Sequence, residues 1–178
     1  MNSLVRVLAA AAALIALASC SAKEAGTPGP AEHETGAPDT PADHGGSPLD
    51  GMEPCELLSQ TELDDLGIAG GEEADFGDSP GCEWAKTGDF GILVGLNLDI
   101  GADEADLQGA TPKPISVGSH DGFRVEAQGG FEGSCAVLVV TSESSFVDIS
   151  ATANGGGDTS KACAKATDVA ELIEPKLP

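Results

Sequence analysis

Four of the five cysteines in this 178-residue chain, Cys55, Cys82, Cys135 and Cys163, limit its fold more than any other feature. They are spread one per segment through the part of the chain that can fold, and no C-x-x-C pair occurs among them, so zinc-type ligation is a poor fit. An even set of cysteines in an exported chain reads as two disulfides. Four cysteines allow three pairings. The favoured one joins Cys55 to Cys82 and Cys135 to Cys163, because each bond then closes a compact loop within one half of the domain; the other two stay open. Loops of that length stabilise by roughly 3 to 4 kcal/mol each in the chain-entropy account. With aromatic residues at only 3% of the chain, that is a large share of a domain's net stability.

The reading depends on export, and the fifth cysteine speaks to that. Residues 1–19 have the three parts of a signal: a short start with Arg6, an apolar run over residues 8–18, and small residues at the junction. The run is too short to span about 30 Å of hydrocarbon. Its junction, Leu17-Ala18-Ser19-Cys20, resembles a bacterial lipobox, in which the cysteine sulfur takes a diacylglyceryl group and cleavage leaves that cysteine first. Cys20 is then a lipid anchor, since two acyl chains give stable attachment where one would be marginal. The expected location is the extracytoplasmic face of the cell membrane.

Without Arg6 the chain carries seven Lys and Arg against thirty Asp and Glu. Such a surface repels phosphate backbones and anionic headgroups, which excludes nucleic acid as a partner and leaves the lipid as the membrane contact. From residue 20 to residue 53 the composition is Ala, Gly, Pro, Thr, Ser and acidic residues, with Leu49 and Met52 the only large apolar side chains. This segment is expected to be a disordered tether spanning on the order of 30 Å. His33 and His44 read as solvated residues within it.

Residues 54–178 are expected to form a single α+β domain, an antiparallel meander packed by helices at its two ends. PCELLSQTELDDLGI supplies Leu57, Leu58, Leu63 and Leu66 for one helix or two short ones, with Thr61 and Asp64 as a cap and Gly67 as a stop. SPGCEWAK reads as a turn and a short strand. In FGILVGLNLDI, the residues Ile92, Val94, Leu96, Leu98 and Ile100 alternate with smaller or polar ones, as in a half-buried strand. Residues 102–109 could form one helical turn, and the prolines of Thr111-Pro112-Lys113-Pro114 keep that stretch extended. Three further strands are expected over residues 123–128, 134–141 and 146–152. A closing helix from residue 159 or 160 to residue 174 carries Cys163, Ala166, Ala170 and Ile173 on one face.

The lipobox, the Pro-rich tether, Pro54-Cys55 before Leu57-Leu58, Gly81-Cys82-x-Trp84, Cys135 opening a Val-rich strand, and Cys163-x-x-Ala166 in a terminal helix together resemble an actinobacterial lipoprotein family. That family is known mainly as a domain of unknown function. The resemblance implies an envelope location and disulfides; it supplies no reaction and no catalytic residues.

No catalytic set is legible beside it. His120, in Gly118-Ser119-His120-Asp121-Gly122, has Ser119 and Asp121 as neighbours, but adjacent side chains diverge and no G-x-S-x-G elbow is present, so it reads as a turn residue. Gly155-Gly156-Gly157-Asp158-Thr159-Ser160-Lys161 lacks the phosphate-loop order. Paired carboxylates of the glycosidase kind would arise by chance among so many acids. Calcium is the best of the site readings: Glu72, Glu73 and Asp75, and then Asp103, Glu104 and Asp106, cluster oxygen ligands near glycines. Neither run has the D-x-[DN]-x-[DN]-G order, and solvated acidic loops explain both. No cofactor is implied. The expectation is a lipid-anchored binding or interaction module meeting an envelope protein or a small ligand; the alternative is an envelope enzyme acting on cell-wall or exported substrates.

Overall fold

The computed structural model describes residues 46–77, 79–154 and 157–178. Cys20, the expected signal and most of the expected tether lie outside them. The packed region starts before Pro54, at Leu49, whose side chain is buried in the main core with Met52 against it. The tether expected to run to residue 53 therefore ends sooner, because one leucine in a polar stretch is enough to dock when a sheet face awaits it.

A 3₁₀ turn, Pro54–Glu56, leads to a two-turn helix α1, Gln60–Leu66. The cap is Ser59, not Thr61: its hydroxyl accepts from the Glu62 N–H while the Glu62 carboxylate accepts from the Ser59 N–H, a reciprocal capping box. Gly67 ends the helix in the left-handed region at φ 68°. Only Leu63 of α1 is fully buried, so α1 is a short lead-in and not a second layer. The helix that covers the sheet is α2, Thr159–Ile173, capped by Asp158 and burying Ala162, Ala166, Val169, Ala170 and Ile173.

The sheet has seven antiparallel strands: β1 Glu72–Phe76, β2 Ser79–Lys86, β3 Phe90–Asn97, β4 Lys113–Val117, β5 His120–Glu126, β6 Ser134–Ser142 and β7 Ser145–Ala153. Their order is β1-β2-β3-β7-β6-β5-β4, so two meanders meet where β3 pairs with β7. A single continuous meander was expected; the long connection after β3 instead returns the chain to the far edge. That connection, residues 98–112, is a series of turns without the expected helical turn. SPGCEWAK, expected as a turn and a short strand, is strand throughout as β2, and the acidic stretch before it, expected as a loop, is the edge strand β1.

Both disulfides are present, Cys55–Cys82 and Cys135–Cys163. The first fastens the 3₁₀ turn to β2 and the second fastens β6 to α2. Alternation along the strands separates two faces. Ile92, Val94 and Leu96 of β3, Val137 and Val139 of β6, and Val147 and Ile149 of β7 join the core with α2. On the opposite face Val125, Ala136, Leu138 and Phe146 form a second core roofed by Ala102, Ala105, Leu107 and Ala110 of the long connection. That roof covers β5, β6 and part of β7, and among the described residues no helix lies over β1, β2 and β3 on this side.

Candidate functional site

Where the roof stops, the helix-free face forms a groove. Register places Gly81 of β2, Gly95 of β3, Asp148 of β7 and Leu138 of β6 in one row across the sheet. Two successive positions without side chains leave a trough, and the Phe76 ring lies in it: a Cβ at Gly81 would be 2.8 Å from Phe76 Cδ2, and one at Gly95 would be 3.4 Å from it. In the next row Ser79 donates its hydroxyl hydrogen to Asn97 Oδ1 at 3.2 Å, and Asn97 is in register with Phe146. The groove, about 430 Å³, is bounded by Phe76, Ile100, Leu107 and Phe146, with Asp148 and Asn97 on its floor and Asp106 at its side. A second hollow of about 340 Å³ shares Phe76, Asn97 and Ile100 with it. Ile100 is one of two exposed large apolar residues among those described, the other being Phe131.

Asp148 sets the character of this groove. It is flanked by a glycine and a leucine, and its one hydrogen-bonding side-chain neighbour is Ser150, whose hydroxyl donates to Oδ1 at 2.7 Å. Burial pushes its carboxyl up to about 6, only partly opposed by that hydrogen bond. A raised carboxyl in a recess is a functional-site signature with a physical cause. A larger hollow, about 470 Å³, lies beside α2 between Arg124, Glu126 and Asp168; there most of the charge is paired, Arg124 Nη2 lying 3.1 Å from Glu126 and Lys165 holding Asp168 at 3.0 Å, while Arg124 Nε has no hydrogen-bond partner among the described residues.

The residues singled out from sequence are distributed differently. Glu72, Glu73 and Asp75 lie along exposed edge strand β1, where the pleat sends Glu73 and Asp75 to the opposite side from Glu72. Asp103, Glu104 and Asp106 are exposed turn residues, and Asp106 Oδ1 accepts from the Gln108 N–H at 2.9 Å. Among the described residues no three His, Cys, Asp or Glu side chains come together as a metal site. Of these six, Asp106 alone lines the groove of Asp148.

His120 opens β5 and is not free in a turn. Its Nδ1 is 2.9 Å from Glu174 Oε1 and its Nε2 is 3.1 Å from Pro178 O, so both ring nitrogens face acceptors. That arrangement requires a doubly protonated ring. Accordingly the Glu174 contact raises His120 above its ordinary value, and donation from His120 and Ser119 holds Glu174 down at about 2. The Ser119 hydroxyl donates to the same Glu174 oxygen at 2.8 Å, so no ring nitrogen is available to take its proton. The cluster is a clamp between the β4–β5 turn and the end of the chain.

The chain belongs to the family described as protein of unknown function DUF3558, whose model matches residues 15–176. No curated protein and no solved structure matches it.

Proposed function

We propose that this family member is a lipid-anchored binding module on the extracytoplasmic face of an actinobacterial envelope. In this reading residues 1–19 direct export, Cys20 carries the lipid, and the chain from there to Leu49 tethers the domain at a distance from the membrane. The observation that carries the binding role is the groove on the helix-free face, where a recessed carboxylate lies among Phe76, Ile100 and Phe146. A polar group placed at the bottom of an apolar recess supports recognition of a ligand or partner rather than plain packing. The strongly acidic remainder of the surface keeps the domain dispersed and away from anionic lipid.

Two experiments test the two halves. A photo-crosslinking residue at Ile100 in the membrane-bound protein is expected to give an adduct that the same residue at exposed Glu171 on α2 does not. Identical adduct patterns from both positions would remove the groove as the contact face. For the anchor, Cys20→Ser is expected to shift the protein from the membrane to the soluble fraction, and continued membrane attachment would refute lipidation.

One observation favours an enzyme as the second reading. Asp106 and Asp148 line the same groove, and a carboxyl raised to about 6 by burial suits a general acid. It requires turnover of a cell-wall glycan fragment that Asp148→Asn abolishes.

A further inference from the structure

We propose that the groove over Asp148 is a site for an organic cation, a primary ammonium or guanidinium carried on an apolar stem. This rests on the groove being the binding face and adds the chemistry of what it takes.

Charge balance within the fold comes first. The described residues contain six basic side chains, and each is engaged by a carboxylate elsewhere: Lys86 and Lys161 by Asp89, Lys113 and Arg124 by Glu126, Lys165 by Asp168, and Lys176 by Glu62. None reaches Asp148. Its carboxylate is met by the Ser150 hydroxyl alone among the described side chains, which leaves acceptor capacity directed into the groove. A recessed anion with one neutral donor is poorly compensated, and an incoming cation with hydrogen-bond donors supplies what is missing.

The surroundings choose among cations. A metal ion is best held by three or more His, Cys, Asp or Glu side chains, and among the described residues no such group assembles; the groove has only two carboxylates, Asp106 and Asp148. The walls are instead the apolar side chains of Phe76, Phe146, Ile100 and Leu107, which fit the methylenes of a stem. Anions are disfavoured by Asp106 at the side of the groove and Asp99 in the adjoining hollow. At about 430 Å³ the groove is within the range of small-ligand pockets. The same chemistry is available from a free amine or from a lysine or arginine side chain of a partner.

The test uses the full-length Cys20→Ser chain, with amide NMR spectra and calorimetry, against n-hexylamine, n-hexylguanidine, 1-hexanol and hexanoate. A blocked Ala-Lys-Ala peptide distinguishes a side-chain source from a free amine. The two cationic probes are expected to shift the amide signals of Asn97 and Ser150 and to bind at least about tenfold more tightly than hexanol, with no effect from hexanoate. Asp148→Asn is expected to erase the preference for charge while keeping a folded spectrum. Equal binding of hexanol and hexylamine, a preference that survives in Asp148→Asn, or no shift from any probe would each overturn the proposal. Such a failure alongside a specific crosslink at Ile100 would leave the binding face standing and remove only the cation.

Discussion

At Asp148 stability and the proposed binding role pull in opposite directions. Its carboxyl ordinarily titrates at 3.8 and is held at about 6 in the fold, chiefly by burial. A raised carboxyl means that the native state binds the proton more tightly than the unfolded chain, so stability increases as pH falls from about 6 to about 4. Above that window the ionised group is a net burden on the fold. Asp148→Asn is therefore expected to be more stable than the parent at pH 8, with the gap closing near pH 4; urea unfolding at the two pH values measures it. A variant less stable than the parent at pH 8 would mean that Asp148 contributes a favourable contact instead. Replacing Gly95 tests the neighbouring position: Gly95→Val would push Phe76 out of the trough, and a cost of about 1 to 3 kcal/mol is expected from the crowding, read from the same unfolding curves.

At the scale of elements, the end of the chain acts as a strap. The turn Glu174–Lys176 is fastened on one side where Glu174 accepts from the Ser119 N–H and hydroxyl and from His120. On the other, Lys176 Nζ donates to Leu57 O at 2.6 Å and to both Glu62 oxygens. The His120 contribution is full below its ordinary 6.5 and is lost as pH rises through its elevated value; that of Glu174 is full above 4.5 and is lost towards about 2. The strap is thus tightest between about pH 4.5 and 6.5. NMR titration is expected to put His120 above its ordinary value, and Glu174→Gln to bring it down; an unchanged titration would show that the pair does not form. This clamp was not legible in the sequence, because His120 and Glu174 lie far apart in the chain and meet only when β5 and α2 pack. β3 was legible as far as Asn97, since Ile92, Val94 and Leu96 alternate on its core side, whereas Ile100, expected to continue that side, lies beyond the strand and is exposed; α2 was legible because its buried residues keep helical spacing. β1 was hidden because an edge strand that buries little can be acidic throughout. Asp148 was hidden for a related reason: in FVDISATA it alternates like a solvent-facing residue, and only the pairing of β3 with β7 sets it beside Gly95.

For the molecule as a whole, the two disulfides carry more than their number suggests. They close spans of nearly equal length, 27 and 28 residues, so chain entropy assigns them the same stabilisation, roughly 3 to 4 kcal/mol each. What they hold differs. Cys135–Cys163 secures α2, whose buried face includes three alanines and so contributes little apolar area of its own. Cys55–Cys82 secures the entry segment, where Leu49, Leu57 and Leu58 pack in the core beside Trp84. Against a net stability of about 5 to 15 kcal/mol, losing both bonds removes from about half to all of the margin. The reduced chain is therefore expected to be largely unfolded at 37 °C, with either single pair of Cys→Ala replacements intermediate; thermal unfolding with and without reductant measures this. The same dependence bears on where the protein works. A chain lacking residues 1–19, made in a reducing cytoplasm, is expected to accumulate unfolded, and in an oxidising cytoplasm to fold. Equal yields of folded protein from the two would mean that the core suffices without its cross-links, and would take away the structural argument for export while leaving the one from Cys20 in place.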